Sequence, residues 1–293
     1  MKNLRVMECG PGLIAYYDGR VEGYRVAPEP NWVDDGAISL GIASYALVSK
    51  NKALIYDTHV SVEHAEFIRA DLTKRGITDF TVLLSHWHLD HIAGTEAFAD
   101  CEIIANAKTL AHLKKHQSGI QDGTFHGPPA INPLILPNRI FESEMNFTLG
   151  NRNLKFIEAN IHSDDASLVW IEDDGLLLVG DTMEDTITYV GEPEHFDIHL
   201  QELERLWALN PQFIFPNHGS ADIIGVGGYG KGLIKAQQQY IRMLKRCRTE
   251  ERLRDVPLKD LIAGPLDMGW VNYFEPYEDV HAQNLRLVLG QLN

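Results

Sequence analysis

The sequence predicts an α/β (α+β) fold with a carboxy-terminal helical appendage. Three observations carry that reading. Strand-like and helix-like apolar periodicities alternate from residue 45 onward. A chain of 293 residues with 44% hydrophobic content can bury a large core in one main domain. Residues of metal-ligand type recur where the apolar runs end, at His86 to His91, His162, Asp181 and His218.

The elements follow in order. The β-type runs Tyr45 to Val48 and Ala53 to Tyr56 flank Ser49-Lys50-Asn51-Lys52, which reads as a hairpin turn, and the second run ends at Asp57-Thr58. Val62 to Arg75 places Ala65, Ile68 and Leu72 at helical spacing, with Gly76 as the stop. The apolar run Phe80 to Leu84 is the next strand and delivers Ser85-His86-Trp87-His88-Leu89-Asp90-His91. A helical stretch Ile92 to Phe98, a strand Glu102 to Ala105 and a helix Ala107 to Lys115 continue the alternation. From Gln117 to Pro137 glycines and prolines break any regular element, and this stretch is expected to form a lid loop over the histidine cluster. Strands are expected at Phe141 to Leu149, Leu154 to Glu158, Ser167 to Ile171 and Leu176 to Val179, then a helix His199 to Leu209 and a short strand Phe213 to Phe215. Beyond Gly232 the stripe Leu233, Ala236, Tyr240, Ile241 and Leu244 is helical, and Pro257 to Ala263 and Asp279 to Leu292 look like further helices. The chain thus divides into a main unit, 1–230, and a helical extension packed on it, 231–293.

The cluster after Leu84 puts three imidazoles and a carboxylate into six residues, His86 to His91. Imidazole nitrogen and carboxylate oxygen are the donors that borderline cations such as zinc accept. A strand that drops its next residues into a loop can aim His86 and His88 at one point, and the turn lets Asp90 and His91 face a second. Of the other histidines, His59, His64, His112, His116, His126, His195, His199 and His281 lack ligand spacing and read as structural or solvated, with His126 in the lid the one to reconsider. The glycine-rich run 225–232 stops short of a phosphate loop, because Gly232 stands where Ser or Thr would supply a hydroxyl, and it reads as a flexible hinge.

A formal charge of -15 repels a phosphate backbone, so nucleic acid is not an expected partner. No apolar run approaches the ~18 residues of a membrane span, and the amino terminus has no signal-like apolar region. Cys9, Cys101 and Cys247 are an odd number, far apart. A cytoplasmic protein acting on a small molecule, without membrane association and open to homo-oligomer formation, fits these features.

The order His86-x-His88-x-Asp90-His91, then His162, Asp181 and His218, resembles the metallo-β-lactamase-fold hydrolases over about residues 40 to 220. The resemblance implies a four-layer αβ/βα sandwich with two divalent metal ions, usually zinc and in some members iron or manganese. It implies His86, His88 and His162 as ligands of one ion, Asp90, His91 and His218 as ligands of the other, and Asp181 as the bridge. Asp57 matches a position that braces the metal loops. The implied chemistry is attack by a metal-bridging hydroxide, with Asp90 also orienting the nucleophile or relaying a proton.

Fold alone does not choose a substrate. The lactonases of this family place a Tyr three residues after the bridging Asp, where this chain has Glu184. The leading expectation is hydrolysis of a small ester, thioester or lactone, with Trp87, Phe125, Glu184 and Tyr189 as candidate substrate contacts. The alternatives are a phosphodiesterase or β-lactamase-like hydrolase of the same fold, an iron-dependent oxidoreductase, or a metal-retaining binding protein.

Overall fold

A computed structural model describes residues 1–291. The chain opens with an antiparallel pair, β1 (Arg5–Gly10) and β2 (Leu13–Asp18), followed by β3 (Ile42–Ser49) and β4 (Lys52–Tyr56). Helix α1 (Val62–Lys74) crosses over to β5 (Asp79–Leu83), which runs parallel to β4. A parallel neighbour requires such a crossover. The single turn α2 (Leu89–Ile92) leads to β6 (Glu102–Asn106), and α3 (Ala107–Asp122) leads to β7 (Arg139–Phe141). These strands form a seven-stranded sheet in sequential order.

The second sheet holds β8 (Glu144–Leu149), β9 (Arg152–Glu158), β10 (Ser167–Ile171), β11 (Leu176–Gly180) and β12 (Phe213–Pro216), in the order β12-β11-β10-β9-β8. Helix α4 (Phe196–Ala208) joins β11 to its parallel partner β12. The remainder is helical: α5 (Ala221–Gly225), α6 (Gly232–Cys247), α7 (Leu258–Leu261), α8 (Ala263–Asp267) and α9 (Tyr277–Val288). Leu292, the last residue of the expected final helix, lies outside the described residues.

Strand alternation builds the layers. On β4, Leu54 and Tyr56 face a core shared with Phe156, Leu168 and Leu178 of the second sheet, whereas Ala53 and Ile55 face Ala65, Ile68 and Leu72 of α1. Residues Leu233, Ile234, Tyr240 and Ile241 of α6 join the inter-sheet core. The result is the four-layer αβ/βα sandwich. Buried tyrosines stitch the sheets: Tyr56 donates to the Ser167 carbonyl at 2.7 Å and Tyr17 to the Gly219 carbonyl at 2.8 Å. Each buries an apolar ring and spends its hydroxyl on a backbone acceptor.

The structure adds one pair of strands and corrects three expectations. The amino-terminal pair β1–β2 was not foreseen, because its apolar residues form no clean alternation before a turn. The strand expected over 141–149 is two strands in different sheets, interrupted at Glu142 and Ser143. The loop expected from Gln117 begins only after Asp122: Ile120 is buried one heptad beyond Leu113, and Gly123, at φ +75°, makes the left-handed stop. The 225–232 run is no free hinge. Tyr229 exchanges two backbone hydrogen bonds of 2.8 Å with Ile214, and its hydroxyl donates to Asp185 at 2.7 Å.

Candidate metal centre

The cluster forms where β5 ends. Asp57, at φ +65°, turns its carboxylate back into the fold, and Oδ1 accepts the Ser85 backbone N–H at 2.6 Å. That bond fixes the start of the histidine loop. The loop then passes so close to α1 that a Cβ on Gly94 would lie 2.2 Å from the Thr58 carbonyl and 2.4 Å from Ala65 Cβ. Only glycine fits there. At the end of β11, Gly180 at φ +55° swings Asp181 toward the same point.

The structure brings all seven residues together. His86, His88 and His162 form one group and Asp90, His91, Asp181 and His218 a second, each with its donor atoms within 4.8 Å of one another. Asp181 Oδ2 lies 3.1 Å from His91 Nε2, 3.5 Å from His218 Nε2, 3.7 Å from His162 Nε2 and 3.8 Å from His86 Nε2. His88 turns its Nδ1 inward, 3.0 Å from His162 Nε2. Asp90 Oδ2 sits 3.2 Å from His218 Nε2 and 3.5 Å from His91 Nε2.

The opposite ring nitrogens are held by the scaffold. His162 Nδ1 donates to the Tyr189 carbonyl at 3.0 Å and His218 Nδ1 to the Gly41 carbonyl at 2.9 Å. A carbonyl accepts only, so each ring keeps a proton on Nδ1 and, as the neutral imidazole, turns its Nε2 lone pair to the centre. His91 Nδ1 lies 2.9 Å from Asp57 Oδ2, an oxygen that also accepts from Asn217 Nδ2 at 2.6 Å. His86 Nδ1 pairs with Ser85 Oγ at 2.9 Å.

The charges are concentrated and buried. Burial opposes a charged His91, but the carboxylates of Asp181, Asp90 and Asp57 outweigh it and hold the imidazole well above its usual range. His218 is likewise pushed up to about 9, against burial, chiefly by Asp181. Burial and the neighbouring His162 bring His88 down to about 3. Despite burial, Asp181 is held below the carboxylate range by His91 and His218. His86 Nε2 and Asp181 Oδ1 are buried without any hydrogen-bond partner. Orphaned donors of this kind, converging from five imidazoles and two carboxylates, are the donor set of a divalent cation.

The cluster forms the floor of a cavity of about 440 Å³. Of the expected contacts, Phe125, Glu184 and Tyr189 line it, and so does His126. Trp87 does not. It stacks on His112 at 5.1 Å and His116 at 5.0 Å and backs Phe125 at 5.4 Å, so its place is behind the wall. Asp185 is also absent from the lining and binds the Asn272 backbone N–H at 2.6 Å. Trp32, Leu40, Val280 and Gln283 complete the walls, and sequence reasoning missed them, since nothing local to them signals a site.

Glu184 is fully buried. Its Oε1 accepts from Thr188 Oγ1 at 2.9 Å and from the Tyr189 N–H at 3.1 Å, and its Oε2 accepts from the Tyr277 hydroxyl at 2.9 Å. Burial and the nearby Asp181 push its carboxyl up to about 7. From α9, Asn284 accepts from the Val190 N–H at 2.9 Å and donates to the Thr188 carbonyl at 3.0 Å. The carboxy-terminal helix therefore holds the loop whose Tyr189 carbonyl orients His162.

Comparison with known proteins agrees with this geometry. The family model of the metallo-beta-lactamase superfamily matches residues 39–218. The chain is 22% identical over 210 residues to the Beta-lactamase-like protein 2 homolog of Caenorhabditis elegans, covering 70% of this chain and 66% of that protein. It is 25% identical over 233 residues to the lactamase-like protein notP of an Aspergillus species, covering 76% of this chain and 66% of that protein. The chain thus spans just under two thirds of the length of these relatives. Among solved structures, a metallo-beta-lactamase from Pontibacter korlensis superposes with a TM-score of 0.62 at 14% identity, over 82% of this chain and 99% of that one. The DIM-1 metallo-beta-lactamase superposes with a TM-score of 0.59 at 19% identity, over 82% and 97%.

Proposed function

Since the chain belongs to the metallo-beta-lactamase superfamily, we propose that it is a dinuclear metal-dependent hydrolase acting on a small ester, thioester or lactone. The observation that supports this most is the position of Asp181 Oδ2, within 3.8 Å of a ring nitrogen from each of His86, His91, His162 and His218. In this proposal His86, His88 and His162 hold one cation and Asp90, His91 and His218 the other, with Asp181 shared between them. Zinc suits the imidazole-rich donors, and iron or manganese are the other candidates. The cations, when bound, supply an acidified water as nucleophile at neutral pH and polarise the substrate oxygen.

The chain's own residues do the rest. Asp57, Ser85 and the carbonyls of Gly41 and Tyr189 keep the rings in their ligating orientation. Asp90 lines the cavity, where its carboxylate is placed to orient the nucleophile and to hold a proton passed from it. Trp32, Leu89, Phe125 and Tyr189 offer apolar surface to the rest of the substrate. A cytoplasmic location is part of the same proposal, and three free cysteines suit it, since disulfides are rare in a reducing compartment.

The test is elemental analysis of the purified protein and of His86→Ala, together with a panel of esters, thioesters and lactones. About two metal ions per chain, lost in the variant together with turnover, is the expected result. One iron per chain with no hydrolysis would replace the reading with oxygen chemistry, and metal without turnover of any kind would leave a binding protein.

A further inference from the structure

Resting on that reading, we propose that the body of the substrate, away from the bond that is broken, is neutral and apolar, and that substrates carrying a second anionic group are excluded by the walls.

Neither lysine nor arginine is among the described residues lining the cavity. The walls above the His/Asp floor are made by Trp32, Leu40, Leu89, Phe125, Tyr189 and Val280. Their polar members are Asp35 and Gln283 at the exposed rim, His126, and Glu184 at depth, whose carboxyl is already bonded by Thr188, Tyr189 and Tyr277. Two guanidinium groups approach these walls, and both are already engaged. Arg20 donates Nε to the Leu40 carbonyl at 2.7 Å and lies over the Phe274 ring at 4.4 Å. Arg25 pairs with Asp35 at 2.6 Å and also bonds the Glu29 carbonyl at 3.2 Å. Arg20 is committed to the fold, and Arg25, at the surface, neutralises the rim carboxylate Asp35.

An anionic tail entering this cavity would give up its water and meet the Tyr189 hydroxyl, the Gln283 amide and the His126 ring at the walls, with no lysine or arginine to neutralise it. The formal charge of -15 on the whole chain adds an unfavourable long-range field. A metal pair would favour negative charge only at the floor, where the reacting oxygen sits. A hydrocarbon tail, in contrast, is desolvated by indole, phenyl and aliphatic surface. The walls are also held in place. The Trp32 indole donates to the Pro129 carbonyl at 3.0 Å, which ties this side of the cavity to the loop carrying Phe125 and His126.

Two matched pairs test the inference on the zinc-loaded protein. The first is p-nitrophenyl hexanoate against the p-nitrophenyl monoester of adipic acid, which differ only in a terminal methyl or carboxylate. The second is the inert pair hexanamide and adipamate, read by quenching of tryptophan fluorescence. We expect the neutral member to be favoured on the order of tenfold or more in kcat/KM and in affinity, the scale of one unpaired buried charge. Gln283→Arg, on the exposed face of α9 at the cavity, should narrow both ratios by supplying the missing cation. Equal handling of the two members, or a preference for the carboxylate, overturns the inference and leaves the hydrolase reading standing. If neither ester is cleaved but hexanamide still outcompetes adipamate, the inference holds and the hydrolase reading fails.

Discussion

Asp57 touches no substrate-facing surface, yet three groups of the centre depend on it. Its carboxylate holds the Ser85 N–H, the His91 ring and the Asn217 amide. Asp57→Asn keeps the shape and removes the charge, so His91 loses the acceptor that makes it a strong donor toward the centre. The expected result is a fall of roughly 10- to 100-fold in metal affinity with a native circular dichroism spectrum. Competition against a chelator measures it, and an unchanged affinity would show that Asn217 and the backbone suffice. Asp165 makes a different prediction. It is fully buried, and burial pushes its carboxyl up to about 6 against the opposing effect of the Ser163 hydroxyl. A carboxyl whose folded value lies above its unfolded value contributes stability in full below about 3.8, and that stability is lost as pH rises through about 6. Asp165→Asn has no such loss, because an amide has no charge to bury. The variant should match the parent at pH 4 and exceed it by at most about 3 kcal/mol at pH 8 in urea unfolding of the metal-free chains. The contrast between these two aspartates marks what a sequence can reveal. Asp57 stands at a strand end in a recognisable order of ligand-type residues. Asp165 is one of two adjacent aspartates in a loop, and only packing tells it from the half-buried Asp164, which pairs with His112.

At the level of elements, α9 is more than an appendage. Asn284 fixes Val190 and Thr188, Tyr277 fixes Glu184, and Val280 and Gln283 face the cavity. Asn284→Ala removes the bonds to the Val190 N–H and the Thr188 carbonyl, both on buried residues. A loss of about 1 to 3 kcal/mol in stability is expected. The loop it anchors carries the Tyr189 carbonyl that orients His162, so metal affinity should fall as well, by roughly tenfold. Tyr277→Phe is the gentler companion, because it removes one donor from Glu184 and leaves the ring packed. If both variants lose stability but keep their metal affinity, the helix is scaffold alone. This coupling was hidden from the sequence. The apolar stripes of α6 and α9 are visible as helical spacing, but which loop they cover depends on polar contacts between residues about 90 positions apart. The same limit explains the strand expected over 141–149. Phe141, Met145, Phe147 and Leu149 keep a two-residue period across it with Ser143 in step, and only sheet topology reveals that the chain changes sheets at Glu142 and Ser143.

For the whole molecule, the centre lies on the seam between the two sheets. His86, His88, Asp90 and His91 follow β5 of the first sheet, whereas His162, Asp181 and His218 follow strands of the second. Without cations, the seam gathers five imidazoles around two carboxylates, with His86 Nε2 and Asp181 Oδ1 unpartnered. Cations that bind only the folded chain would find ligands in these atoms on both sides of the seam, adding stability that grows with the logarithm of free metal over its dissociation constant. At a hundredfold excess over that constant the gain is about 2.7 kcal/mol per ion, which for a chain of this size raises Tm on the order of 5 °C. Calorimetry with and without a chelator should show that rise as a single transition, since both sheets share one core through Tyr17, Tyr56 and Phe156. His86→Ala and His218→Ala, one ligand from each proposed cation and from opposite sides of the seam, should each abolish most of it if Asp181 is shared. A Tm indifferent to chelation would mean that the seven residues balance their own charges and hold no ion. A rise that survives one substitution and not the other would mean that a single sheet carries the ion, and the shared role of Asp181 would have to be given up.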